Sequence, residues 1–418
     1  MSILIRDVLL NGKRRSILIE GKRIVSLDSK ESADIVIEGR GKAAFPGLIN
    51  THTHGAMSLF RGYADDMHLD DWLRDKIWPL EKNLKPEHVY WGTKLACLEM
   101  IKSGTTCFND MYFLMEEAAK ATEDMGMRAV LSEGFVDLMN PDLGKESFQN
   151  SIRLVEFIRS MKNCRIIPAL GPHAIYTVST ESLQMVAEYA EKEDLLIHLH
   201  LSETQEEVTS CIERHGKRPV EFLEDVGFLS RRLIAAHSVW LNKKEIELLK
   251  KHDVRISHNP VSNMKLAVGK AIPYQEMRKA GVLVSLGTDG CASNNTLDML
   301  ETMKFASLYQ KAYTGDPTIL PAEDTIVLAT ENGANALGVD AGRIASGKLA
   351  DIVLIDLKMP QLHPGHNLVS DLVYSANGSC VDTVICDGRI LMQNRKVEGE
   401  GEILEKAGEA ASDLVGRR

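Results

Sequence analysis

Phe45-Pro46-Gly47-Leu48-Ile49-Asn50-Thr51-His52-Thr53-His54 is a short apolar run that ends in a histidine pair. Side chains on a strand repeat every two residues, so His52 and His54 leave the C-terminal end toward one side. Two imidazoles on one face are half of a zinc site. If the run is one strand of a parallel barrel, the other half stands at the ends of its neighbours.

The neighbours are legible. Compact apolar runs recur at 105–108, 128–131, 165–170, 195–201, 233–236, 254–257 and 282–286, which makes eight with the first. Helical periodicity lies between several of them, at 86–103, 114–125, 179–193 and 243–251. Alternation of this kind predicts an α/β fold, a (β/α)8 TIM-type barrel. No Gly-x-Gly-x-x-Gly follows any run, which weighs against an open dinucleotide-binding sheet.

Both chain ends read differently. Ile3-Leu4-Ile5 and Val8-Leu9-Leu10 precede the hairpin dipeptide Asn11-Gly12, and Ser16-Ile17-Leu18-Ile19-Glu20 follows it. Near the other end, Gly347 to Asp356 and Val381 to Leu391 repeat the strand and turn pattern. The expected organisation is a small β-sandwich domain built from residues 1–46 and 343–418, around a metal-dependent barrel at 47–342. The tail from Glu402 is expected to be a charged, solvated surface helix.

Functional side chains of such a barrel gather at the C-terminal ends of its strands. Of 13 histidines, seven fall on or at the ends of five strands: His52, His54, His173, His198, His200, His237 and His258. Independent accidents at five strands are hard to accept. The proposed metal set is His52, His54, His200 and Asp289, the last from Gly287-Thr288-Asp289-Gly290. Three imidazoles and a carboxylate suit one Zn2+ per subunit, with Fe2+ second. His198 sits deeper and is expected to be a packed interior residue. Strand four ends in His173 rather than a lysine able to bridge two metals, so one metal is expected. Glu203, three residues past His200, is placed to shuttle protons, His237 to steer the attacking water, and Asp289 both to ligate and to help move protons. Thr53 is given no role.

The bulk properties exclude several classes. A net charge of −10 argues against nucleic acid as partner. The 418 residues, 44% hydrophobic and 26% charged, are ordinary for a globular protein. Seven scattered cysteines with no Cys-x-x-Cys pair read as reduced thiols. No apolar stretch approaches the ~18 residues of a membrane span, and Met1 to Asp7 lacks a signal-peptide pattern. A cytoplasmic location is the expectation.

Together these stretches resemble the amidohydrolase superfamily, and within it the 5′-methylthioadenosine/S-adenosylhomocysteine deaminases and their archaeal 5′-deoxyadenosine deaminase relatives. The resemblance spans the chain. It rests on the His52/His54 run, Ile77-Trp78-Pro79-Leu80-Glu81, His198-Leu199-His200-Leu201-Ser202-Glu203, His258 to Leu266 and Gly287 to Asn295. It implies hydrolytic deamination of 5′-modified adenosines (5′-deoxyadenosine, 5′-methylthioadenosine, S-adenosylhomocysteine, with adenosine itself a further candidate) to inosine analogues and ammonia, recycling products of S-adenosylmethionine chemistry. It also implies that Glu81 accepts hydrogen bonds from the ribose hydroxyls and that His173, Glu203 and Asp289 touch the purine. A homo-oligomer, with a tetramer as the suggested size, follows from it too. The alternative is another deaminase or a triazine-type hydrolase of the same superfamily. One departure stands out. Ser132-Glu133-Gly134-Phe135-Val136-Asp137 contains no arginine where the family holds the amino-acid tail of S-adenosylhomocysteine, with Arg128 before it and Arg153 on the next helix. S-adenosylhomocysteine is therefore expected to be the poorer substrate.

Overall fold

In the computed structural model, which describes residues 1–29 and 31–416, the chain ends form one sheet. The final two residues of the 343–418 segment lie outside the described residues. Strands β1 (Ser2–Leu10), β2 (Lys13–Glu20), β3 (Arg23–Ser26), β4 (Ile35–Glu38) and β5 (Lys42–Pro46) come from the N-terminal end. Asn11 and Gly12, at φ +48° and +74°, make the tight turn between β1 and β2.

Next come the eight barrel strands: β6 (Leu48–Thr53), β7 (Thr105–Tyr112), β8 (Arg128–Phe135), β9 (Ile166–Pro172), β10 (Leu196–Leu201), β11 (Leu233–His237), β12 (Arg255–His258) and β13 (Leu283–Leu286). They pair in sequence order, all parallel. The ring closes between β13 and β6 through side chains and one backbone bond. Thr51 Oγ1 donates to the Leu286 carbonyl at 2.9 Å, the Thr288 amide donates to Asn50 Oδ1 at 3.0 Å, and the Asp289 amide donates to the His52 carbonyl at 2.9 Å. The barrel carries its helices outside, as βα alternation demands.

Three strands return to the first sheet: β14 (Ile352–Asp356), β15 (Val381–Cys386) and β16 (Arg389–Met392). The order is β16-β15-β14-β5-β1-β2-β3, with β4 against β1. An Arg23–Leu349 bridge turns the far edge back onto the chain. Ile3, Ile5, Ile17, Ile19, Ile352 and Ile385 fill a core separate from the barrel's. A buried ion triad joins the two bodies: Arg128, at the start of β8, donates to Asp387 at 2.8 Å and to Asp351 at 3.2 Å.

Two expectations need correction. The C-terminal helix Glu400–Val415 is not simply solvated, because Ile403, Ala407, Ala410 and Leu414 are buried on one face. Its Asp413 accepts from Lys85 at 2.6 Å and lies 2.9 Å from the buried His88 Nε2. Strands β7 and β8 also run past their apolar stretches. Asn109 and Asp110, beyond the apolar run, lie inside β7, where Asn109 Nδ2 donates to the Thr51 carbonyl and Asp110 accepts from the Gly55 amide.

Candidate active site at the barrel mouth

Each histidine of the cluster is oriented through its other ring nitrogen. His54 Nδ1 lies 2.6 Å from the Met111 carbonyl, and His200 Nδ1 lies 2.9 Å from the His173 carbonyl. A carbonyl only accepts, so both Nδ1 atoms carry hydrogen and both Nε2 atoms present lone pairs. These two Nε2 atoms stand 3.3 Å apart. His52 Nδ1 meets His198 Nε2 at 2.6 Å, leaving His52 Nε2 buried without a hydrogen-bond partner. His198 is packed inside, as expected, but it also aims a ligand candidate. His52 on β6 reaches it across the barrel, β10 standing opposite β6 in the strand order. Thr51 reaches Ser257 on β12, one strand beyond its neighbour β13.

Asp289 faces this group with one oxygen. Oδ1 lies 3.3 Å from His54 Nε2 and 3.4 Å from His52 Nε2, and it accepts the Gly290 amide at 2.7 Å. Oδ2 accepts from Ser262 Oγ at 2.6 Å. Gly287 is required two residues earlier, since a Cβ there would stand 2.8 Å from His52 Cβ. The donor atoms of His52, His54 and His200 lie within 4.8 Å of one another, as do those of His52, His237 and Asp289. The orphaned His52 nitrogen, the two aimed Nε2 atoms and the carboxylate fit a divalent metal of the zinc type.

The electrostatics agree with that fit. Burial alone would raise the Asp289 carboxyl, yet the adjacent His52 and His54 hold it well below the carboxylate range. Burial pushes His52 down to about 3, and burial with neighbouring imidazoles pushes His200 well below its usual value. His54 goes the other way, to about 9, because Asp289 outweighs its burial.

Glu203, 7% exposed, sits beside the cluster. Its Oε1 is 3.4 Å from His237 Nδ1, which also meets Asn263 Oδ1 at 2.8 Å. Burial raises the Glu203 carboxyl, with His237 opposing. His173, pushed down to about 4 by burial, places Nδ1 2.8 Å from Thr177 Oγ1. Glu81, from the short helix Trp78–Glu81, is raised by burial while the adjacent Tyr112 hydroxyl counteracts it. A cavity of about 470 Å³ is lined by His54, Glu81, His173, His200, Glu203, His237 and Asp289. His52 stands behind its wall. Sequence reasoning thus named every one of these groups. It missed Tyr112, the Ser262 bond to Asp289, and the apolar lining from Leu69, Trp72 and Leu73.

The arginines are placed too. Arg128 is committed to the ion triad, and Arg153 is exposed and donates to Asn150. The cationic side chains lining the cavity are Arg74 and Lys82. His258 is buried with neither ring nitrogen hydrogen-bonded and stays outside the cluster.

A parallel eight-stranded barrel with His-x-His after its first strand and Asp after its last defines a class, the metal-dependent barrel hydrolases. The chain belongs to the amidohydrolase family, whose model matches residues 43–391. It is 52% identical over 385 residues to the 5′-deoxyadenosine deaminase of Methanoregula boonei, covering 92% of this chain and 87% of that one. It is also 52% identical over 402 residues to 5-methylthioadenosine/S-adenosylhomocysteine deaminase 1 of Archaeoglobus fulgidus, covering 95% and 94%. Among solved structures, an adenosine deaminase from Xanthomonas campestris with bound zinc superposes with a TM-score of 0.93 at 32% identity, covering 99% and 98%.

Proposed function

We propose that this chain is a metal-dependent deaminase that hydrolyses the 6-amino group of 5′-modified adenosines. Relatives at 52% identity carry that activity in their names. One observation carries the reading in this molecule: a buried carboxylate, an aimed His/Asp cluster and a second carboxylate line one cavity.

His52, His54, His200 and Asp289 hold the metal, which is zinc. A metal so held supplies the Lewis acidity that makes water nucleophilic near neutral pH. Glu203 takes a proton from the attacking water and passes it to purine N1. The water oxygen bonds to C6, the C6–N bond breaks, and ammonia leaves with a further proton, giving the inosine analogue. His237 orients the water, and Asp289 assists the proton transfers. His173 contacts the purine through Nε2, since its Nδ1 is occupied by Thr177. Glu81 accepts from both ribose hydroxyls, which an acceptor-only carboxylate can do. Tyr112 supports it from behind.

Apolar side chains lining the cavity (Leu69, Trp72, Leu73, Leu138) suit a short 5′-substituent. With Arg128 buried elsewhere and Arg153 outside the cavity, 5′-deoxyadenosine and 5′-methylthioadenosine are favoured over S-adenosylhomocysteine. The natural role is recycling of S-adenosylmethionine-derived nucleosides, in the cytoplasm, by a homo-oligomer of tetrameric size. Among the described residues, no helix is long and apolar enough to cross a membrane.

Steady-state kinetics on 5′-deoxyadenosine, 5′-methylthioadenosine, S-adenosylhomocysteine and adenosine, scored as ammonia release from zinc-loaded protein, test the reading. Turnover of the first two with the highest kcat/KM is expected. No ammonia from any of the four, with one zinc per chain measured, overturns it.

A further inference from the structure

Thr204-Gln205-Glu206-Glu207 opens the helix Gln205–His215 with the pattern of a capping box, threonine at the cap and glutamate three residues on. Half of the box forms. Thr204 Oγ1 accepts the Glu207 amide at 3.1 Å. In the usual box the glutamate then returns to the amide of the cap residue itself. Here it passes the cap by. One Glu207 oxygen accepts the Ser202 amide at 2.7 Å, and the other accepts the Glu203 amide at 2.8 Å.

The two clamped amides belong to the turn that carries Glu203 out of β10. Ser202 stands at φ +50°, a left-handed conformation that costs a non-glycine residue about 1 kcal/mol or more. Its carbonyl accepts the Val239 amide at 3.0 Å and the Trp240 amide at 2.8 Å, both from the loop after β11. The turn is therefore pinned on its amide side by Glu207 and on its carbonyl side by the loop that directly follows His237. These restraints fix the direction in which Glu203 leaves the backbone, 3.4 Å from His237 Nδ1.

Glu207 is an expensive cap. It is 5% exposed and forms no salt bridge among the described residues. Burial, with Glu203 and Glu245 nearby, pushes its carboxyl up to about 8 despite the two amide donors. Ordinary helix capping needs none of this, since Thr204 already serves the Glu207 amide.

We propose that Glu207 is a positioning residue for the reaction, holding the Ser202–Glu203 turn so that the Glu203 carboxylate is aimed into the cavity. The proposal rests on Glu203 as the proton carrier. It assigns Glu207 no contact with substrate or metal.

The test uses full-length zinc-loaded protein with 5′-deoxyadenosine. Glu207→Gln keeps size and one acceptor but sets an amino group against one of the two amides. A displaced catalytic group costs up to about a hundredfold. The expected result is a kcat lower by about tenfold to a hundredfold, with KM within about threefold, one zinc per chain, and a displaced carboxylate limb in the kcat–pH profile. Glu207→Asp, which is too short to span both amides, is expected to lose kcat in the same way, and it replaces Glu207→Gln if that variant does not fold. Placed in a Glu203→Gln background, either change is expected to lower kcat no further, because the group it aims is already gone. A kcat within about twofold of the parent overturns the proposal, as does an undiminished additional loss in the Glu203→Gln background. If Glu203→Gln alone leaves activity intact, the assignment of Glu203 fails instead, and the two failures are told apart.

Discussion

Replacing Glu203 by glutamine tests the chemistry most directly. The substitution keeps the shape but replaces the titratable carboxyl by an amide that cannot take up and release a proton. A positioned acid–base group contributes about 10²–10⁴ in rate, or about 3–5 kcal/mol of barrier at ~1.4 kcal/mol per decade. Glu203 is 7% exposed and its carboxylate lies 3.4 Å from His237 Nδ1. Bulk water therefore has little access to stand in for it, and the loss falls in the upper half of that range, about 10³-fold or more in kcat. The donors of the metal cluster are other residues, so metal content stays at one per chain. Burial raises the Glu203 carboxyl. The parent enzyme's kcat profile then carries a limb above the ordinary carboxylate range, and the variant lacks it. Ammonia release across pH, with metal measured on the same samples, reads all three. A variant within tenfold of the parent, metal-loaded and with the limb unchanged, refutes Glu203 as proton carrier.

Glu81→Gln is expected to raise KM with kcat less affected, by about tenfold or more per charged hydrogen bond weakened. A 2′,3′-dideoxy substrate measured alongside is expected to be indifferent to the change. Arg128→Met leaves Asp351 and Asp387 buried without their cation, a loss of about 3–5 kcal/mol. With unfolding entropy of about 2 cal/mol/K per residue, that is a fall of about 3–6 °C in Tm by calorimetry. Glu133 is raised from 4.5 to about 7, mainly by burial. Its contribution to stability is complete below pH 4.5 and is lost as pH rises through 7, so Glu133→Gln is expected to remove a slope of up to ~1.4 kcal/mol per pH unit in denaturant titrations across that window. Chelation is expected to lower Tm, with zinc restoring it, because a ligand that binds the folded state stabilises it by mass action.

The barrel was readable because its eight strands are short, apolar and separated by helical periodicity. The site was readable because parallel strands deliver their ends to one face. His52, His200, His237 and Asp289 are far apart in sequence, yet each directly follows or ends an apolar run. Where polar residues continue a strand, the reading stopped early. Asn109 and Asp110 carry turn propensity, and only their partners, the Thr51 carbonyl and the Gly55 amide, show why they stay extended. Tyr112 lies on that hidden extension, so its place beside Glu81 was hidden with it. The C-terminal helix was misjudged because its buried face is small and alanine-rich.

What the sequence could not show is how the ligands are aimed, and the reason is physical. His54 and His200 are oriented by the carbonyls of Met111 and His173, and every residue type has a carbonyl. The strained backbone is equally silent. Ser202, His237, Ser238 and Asp289 all adopt positive φ at the barrel mouth, between +50° and +67°, although none is glycine. Each departure costs about 1–3 kcal/mol, and glycine would relieve it. Glycine at 237 or 289 would delete the very imidazole or carboxylate the site uses, so the strain is kept and held by the surrounding bonds. Glu207 holds Ser202, Asn263 holds the His237 ring, and Ser262 with the Gly290 amide holds Asp289. These four strained residues carry the chemistry or stand next to it, and their supports lie on neighbouring turns and helices. Substitution of a support should therefore damage turnover before it damages the fold.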